Sequence, residues 1–193
     1  MTDAALRIIA TRGIAALSTR ALADEVGLTT GAIFKHFSSL DALLDAVVAR
    51  VEAVLDSTYP SPELPPLEQV LAFVEARSAT VGSQLGIHRL VMSEQFQLAL
   101  PEGASARLAG CVMKSRAFLR DRLAEAQTRG EIRADVAPEI MALVVMGTTQ
   151  VLALTAGISR GMGAAQRPLV LQGLRALFGA EAERASTRKK GGS

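Results

Sequence analysis

An all-α chain is predicted by three observations. Ala and Leu dominate the intervals between glycine and proline joints, apolar residues recur at three- and four-residue spacing, and long alternating β-rich runs are absent. With 193 residues and 49% apolar content there is material for a substantial core, as one domain or as a small domain attached to a larger one.

The first helix is expected from Thr2 or Asp3 to Thr11, with Leu6, Ile9 and Ala10 inward and Gly13 ending it. Residues 18–37, STRALADEVGLTTGAIFKHF, then carry two short helix patterns around a tight turn. Ser18 is placed to cap the first, in which Leu22 and Val26 share a face, and Gly27 is placed to end it in the left-handed conformation that lacks a Cβ penalty. Leu28 is expected to plug the angle between the helices. Thr29 or Thr30 can cap the second, which turns Ile33 and Phe37 inward and leaves Thr30, Gly31, Phe34 and Lys35 for other work. Such a pair matches the DNA-reading helix-turn-helix, whose second helix enters the major groove. A plain helical corner inside an all-helical protein fits the same residues.

Ser38 with Asp41 forms an expected capping box for a linker helix continued by Leu43, Leu44, Val47, Val48, Val51 and Leu55. Four prolines between residues 57 and 66 stop it. Further helices are expected at 67–80, at 86–97 and at about 104–128, where Gly130 ends the pattern. Pro138 suits the first turn of the next helix. Residues 140–159 of that helix hold no charge and are long enough to span a bilayer. Thr148, Thr149, Gln150, Thr155 and two glycines favour a helix buried in a core and a subunit contact, so no membrane association is expected. Gly161 and Gly163 are expected to separate it from a last helix at about 165–179, and residues 181–193, with Arg188, Lys189 and Lys190, read as a flexible basic tail.

A net charge of +2 is too small for a protein that coats RNA. Residues 1–56 hold five bases against seven acids, so any DNA contact there depends on the acids facing away from phosphate. Arg7 and Arg12 could lie near phosphate or simply be solvated. Cys111 has no partner for a disulfide, and no secretion signal is visible, which fits a cytoplasmic protein. Two histidines, one cysteine and isolated acids supply no catalytic or metal-ligand cluster and no phosphate loop, so neither an enzyme nor a cofactor is expected.

Residues 5–47 resemble the N-terminal DNA-binding domain of the TetR family of bacterial transcriptional regulators, through ALRIIATRG, LSTRALADEVGLTTGAIFKHF and DALLDAV in order and spacing. The C-terminal part resembles the family only in length and helix count. The resemblance implies a three-helix reading domain at 1–47, a helical ligand-binding and dimerisation domain at 48–180, and a homodimeric repressor released from operator DNA by a small molecule. It implies a phosphate contact for Thr19, a guanine-edge contact for Arg20, and operator-dependent positions at Thr30 and Gly31, beside Thr29. Lys35 and His36 fall where members touch backbone or base, although His36 also suits a structural hydrogen bond. Phe34 stands where tyrosine is frequent and offers packing against sugar or a thymine methyl instead of a hydroxyl. Leu40 and Ser38 replace frequent lysines, which weakens the expected backbone grip.

A dimer surface is expected on the last two helices, from Ile140, Val144, Gly147, Val151 and Leu154 on one and Leu169, Gly173, Leu174 and Leu177 on the other, with the two glycines permitting close approach. Apolar bulk with scattered hydrogen-bonding groups at His88, Met92, Phe96, Met113, Phe118, Thr148 and Gln150 suits a hydrophobic effector. A helical small-molecule-binding or adaptor protein without specific DNA binding is the competing reading.

Overall fold

The computed structural model describes residues 1–158 and 160–179, and is helical throughout apart from one isolated bridge. The expected tail at 181–193 lies outside the described residues. The helices are α1 (Thr2–Arg12), α2 (Thr19–Val26), α3 (Thr30–His36), α4 (Leu40–Asp56), α5 (Pro66–Ser83), α6 (Leu85–Met92), α7 (Glu94–Ala99), α8 (Glu102–Thr128), α9 (Pro138–Ile158) and α10 (Arg160–Phe178).

Packing divides the chain into two compact units. Met1–Ser57 joins Ser83–Val112 in one, and Thr58–Gly82 joins Met113–Ser193 in the other. The boundary expected at residue 47 therefore falls inside α4, which runs unbroken to Asp56 because its inward face continues through Val51, Val54 and Leu55. In the first unit, α1 ends at Gly13 (φ 84°), and a short turn of 3-10 helix at Ile14–Ala16 leads to α2. The hairpin is fixed by local chemistry. Ser18 Oγ accepts from the Ala21 N–H at 3.1 Å, Gly27 is left-handed (φ 68°, ψ 32°), and Thr29 Oγ1 accepts from the Ala32 N–H at 3.2 Å. Leu22, Ile33, Leu43 and Val47 are fully buried and join α2, α3 and α4 to the core beneath α1.

Several local expectations are corrected. Leu28 is 45% exposed and plugs nothing, because the Leu28 N–H closes onto the Ala23 carbonyl while its side chain turns out. Ser39, one residue later than expected, caps α4 by accepting from Ala42 N–H at 3.1 Å. The helix expected at 86–97 is two, because Ser93 leaves the helical conformation (φ −95°, ψ 112°) and caps α7 through the Phe96 N–H. Gly161 and Gly163 do not separate the last two helices but lie within α10, since glycine inside a helix costs only about 1 kcal/mol.

The second unit is built on Phe73, Leu119, Leu123, Met141, Val145 and Phe178. Tyr59, Phe73 and Phe118 form an aromatic cluster with ring centroids 5.1–5.6 Å apart. The buried Arg77 guanidinium lies 4.6 Å from the Phe73 ring centre and donates to Thr58 Oγ1 at 2.6 Å and to Ser115 Oγ at 3.3 Å. A 19-residue window of α9, Pro138–Ala156, is long and apolar enough to cross a membrane by length and composition. Its Met141, Ala142, Val145, Leu152 and Ala153 are nonetheless buried in the protein core.

The close helix approach in this unit occurs at Gly82. A Cβ there would stand 2.7 Å from Ala156 Cβ and 2.9 Å from the Ala153 carbonyl oxygen, so α5 meets α9 backbone to backbone. Gly82→Ala is expected to destabilise the chain by about 1–3 kcal/mol through overpacking. Gly110→Ala, where a Cβ would meet nothing within 4 Å, is expected to stabilise α8 by about 0.5–1 kcal/mol. Denaturant midpoints of the two variants, moving in opposite directions, check both expectations.

Candidate nucleic-acid interface and effector cavity

The second helix of the hairpin, α3, buries Ile33 and half-buries Ala32. Thr30, Gly31, Phe34 and Lys35 consequently share its outer face, with His36 beside them, and all five are exposed. Phe34 is 52% exposed, an apolar ring held in water by the geometry of a seven-residue helix. A Cβ on Gly31 would meet only Thr29 Oγ1 at 3.9 Å, so nothing within the chain requires glycine there, and its bare backbone is open to an approaching partner. Arg20 is exposed in the first turn of α2, and Thr19 next to it is half-buried. The structure thus brings the eight expected DNA-contact residues, Thr29 included, onto one hairpin.

Ion pairing resolves the unfavourable charge count. Glu25 accepts Arg7 Nε on one oxygen and an Arg12 guanidinium nitrogen on the other, each at 3.2 Å, and Arg50 is tied to Asp3 at 2.9 Å. Arg7 and Arg12 are therefore engaged within the protein. Arg20 and Lys35 have no carboxylate partner among the described residues, so the two bases left uncompensated are the two on the hairpin.

Behind the hairpin, Arg107 of α8 forks onto α4. Its Nε donates to Glu52 Oε2 at 3.0 Å and a terminal nitrogen to Asp45 Oδ1 at 2.7 Å. These acids lie seven residues apart on one face of α4, and the Glu52 hydrogen bonds, then its charge, raise the Arg107 pKa further. Sequence reading missed this clamp and the Glu25 clamp because their partners lie 13 to 62 residues apart.

The seven expected effector residues do not share one environment. His88, Met92 and Phe96 line a cavity of about 350 Å³ with Ile9 and Ile14. Burial pushes the pKa of the half-buried His88 down, so its imidazole is neutral at pH 7. Phe118 is packed in the aromatic cluster, Met113 and Gln150 are exposed, and the Thr148 hydroxyl donates to its own helix at the Val144 carbonyl.

Among the expected dimer residues, Ile140, Val144, Val151 and Leu154 of α9 and Leu169 and Leu177 of α10 are all exposed, with Leu143 beside them. Cβ atoms on Gly147 and Gly173 would meet nothing within 4 Å. Leu174 is corrected: it is 3% exposed and packs in the core one turn before Phe178, because that side of α10 faces inward.

Residues 1–47, the segment that folds into this hairpin and its supporting helices, match the profile of "Bacterial regulatory proteins, tetR family". Residues 1–47 thus carry a DNA-binding domain of the TetR type. Members of this family are DNA-binding transcriptional regulators with a helix-turn-helix, and not enzymes. The whole chain is 24% identical over 180 residues to the HTH-type transcriptional regulator UidR of Escherichia coli K12, covering 92% of this chain and 88% of UidR. Its fold is similar to that of the ketosteroid transcriptional regulator KstR2 of Mycobacterium tuberculosis (TM-score 0.72, 21% identity, 89% and 91% of the two chains). It is also similar to AibR in complex with isovaleryl coenzyme A and operator DNA (TM-score 0.66, 19% identity, 81% and 83%).

Proposed function

We propose that two copies of this chain bind a palindromic operator and repress transcription until a hydrophobic small molecule releases them. The observation that carries the reading is the outer face of α3: Thr30, Gly31, Phe34 and Lys35 exposed together, with Arg20 next to them, while the remaining bases of residues 1–56 are held in ion pairs. Residues 1–47 act as the reading domain and residues 48–180 as the ligand-binding and dimerisation domain. Arg20 reaches a guanine edge, Thr19, Thr29, Lys35 and His36 position the backbone, and Phe34 packs against a thymine methyl. Ile140, Val144, Gly147, Val151, Leu154, Leu169, Gly173 and Leu177 form the two-fold contact, which sets two recognition helices about 34 Å apart, one turn of DNA. Such a protein works in the cytoplasm, on the chromosome.

The test is titration of the protein with duplex from its own upstream region at several salt concentrations. Affinity is expected to fall with salt for all duplexes and, on the operator, to exceed that for scrambled sequence by at least about a thousandfold. Arg20→Ala is expected to cost about 1–3 kcal/mol on the matched operator and little on a duplex mutated at the contacted guanine. Equal small losses on both duplexes reject base reading by Arg20. Equal affinity for operator and scrambled DNA rejects the regulator reading.

A further inference from the structure

The cavity beside α1 lies within one compact unit, at the seam where the end of α1 and the turn after it meet α6 and α7. Ile9 and Ile14 wall it on one side, and His88, Met92 and Phe96 on the other. Ser93 and Gln95 supply polar groups at the α6–α7 joint, and none of the described lining residues is Asp, Glu, Lys or Arg. About 350 Å³ is at the small end of the range for small-molecule sites.

His88 is the titratable side chain among the described lining residues. It is half-buried and has no hydrogen-bond partner among the described residues, while the walls around it are mostly apolar. Its ring nitrogens still reach solvent, so a ligand that hydrogen-bonds to one of them takes the place of water at an otherwise mostly apolar wall. Met92, one helical turn away on α6, is 48% exposed and lines the mouth. A charged ligand would find no counter-charge among the described lining residues and would leave its own hydration behind.

We propose that this cavity is the effector site, and that the effector is a compact, uncharged, mostly apolar molecule carrying one hydroxyl or carbonyl that hydrogen-bonds His88. The inference rests on the regulator reading for the word effector, but the site itself does not. Ile9 is buried on α1, the helix that packs against α2 and α4, so a ligand touching Ile9 and Ile14 acts on the helix that braces the hairpin. It shifts the equilibrium by as much as it prefers one geometry of the seam over the other. Met113, Phe118, Thr148 and Gln150, which the sequence grouped with this set, are not needed.

The experiment is calorimetric titration of the full chain with 2-naphthol, naphthalene and 2-naphthoate, with operator titrations run in the presence and absence of each. Wild-type protein is expected to bind one 2-naphthol per chain, and the carboxylate at least about tenfold more weakly. His88→Leu is expected to lose roughly fivefold to tenfold for 2-naphthol and nothing for naphthalene. Met92→Trp, which plugs the mouth, is expected to abolish binding of both. Leu98→Ser, at an 81% exposed position outside the cavity, is expected to bind as wild type. Saturating 2-naphthol is expected to lower operator affinity of wild type and of Leu98→Ser, with melting curves establishing that every variant is folded. Absence of 2-naphthol binding, or binding unchanged in folded His88→Leu and Met92→Trp, overturns the site. If the operator is bound but the cavity arm fails, the regulator reading stands and the effector lies elsewhere. If no operator is bound at all, that reading falls while the calorimetry still decides the cavity.

Discussion

Val151→Asp is expected to give a folded monomer that no longer holds the operator. Val151 is 63% exposed on α9 and contributes nothing to the core, so the substitution leaves the single chain's packing intact. In a two-fold contact the same surface meets itself, and one substitution therefore introduces two carboxylates into an apolar seam. Each unpaired ion costs several kcal/mol to desolvate, which exceeds the surplus that holds most dimers together. A monomer carries one recognition helix and half the base contacts, and the loss on operator is expected to be about a thousandfold or more. Sedimentation at micromolar concentration, with circular dichroism to verify folding and anisotropy to read operator affinity, decides the matter. A dimer that persists, or a monomer that binds the operator as wild type does, rejects the α9–α10 interface.

Phe73→Ala is expected to destabilise the second unit by about 3–5 kcal/mol. Phe73 is 2% exposed, with Tyr59 and Phe118 at 5.6 and 5.5 Å and the Arg77 guanidinium over its face. Truncation opens a cavity and also removes the ring that faces a buried cation. Phe34→Ala, at an equally aromatic but exposed position, is expected to change stability by no more than about 0.5 kcal/mol while weakening DNA binding. Urea titrations followed by circular dichroism separate the two. A Phe73 variant as stable as the Phe34 variant contradicts the assigned core.

The contrast between those two phenylalanines marks what could be read from the chain. Ile33 and Phe34 are adjacent, and helical spacing alone assigns one to the core and the other to the outer face. Caps were legible for the same reason: Ser18, Thr29 and Gly27 act on backbone groups within three or four residues, where sequence and space coincide. The misassignments at Leu28, Ser38 and the 86–97 stretch are shifts of a residue or a turn, where two local solutions compete and tertiary packing chooses. Residues far apart in sequence were not legible. Nothing around Gly82 announces that Ala153 and Ala156 lie against it, and nothing at Glu25 identifies Arg7 and Arg12 as its partners. The effector set failed for a related reason. Apolar residues near polar ones are found at any helix surface, and only the fold separates a cavity wall such as Phe96 from a packed ring such as Phe118.

The two-armed grip of Glu25 bears on how the protein finds its target. By pairing with both Arg7 and Arg12, it leaves Arg20 and Lys35 as the bases of the hairpin without a carboxylate partner among the described residues, four in the proposed dimer. With Arg20 on a guanine edge, Lys35 is left to neutralise phosphate, two in the proposed dimer, which corresponds to a salt slope of only about −1.8 in log affinity. Random sequence is therefore held loosely, and the chromosome's millions of competing stretches act as a shallow reservoir. In the proposed dimer such a grip favours many brief visits over long slides.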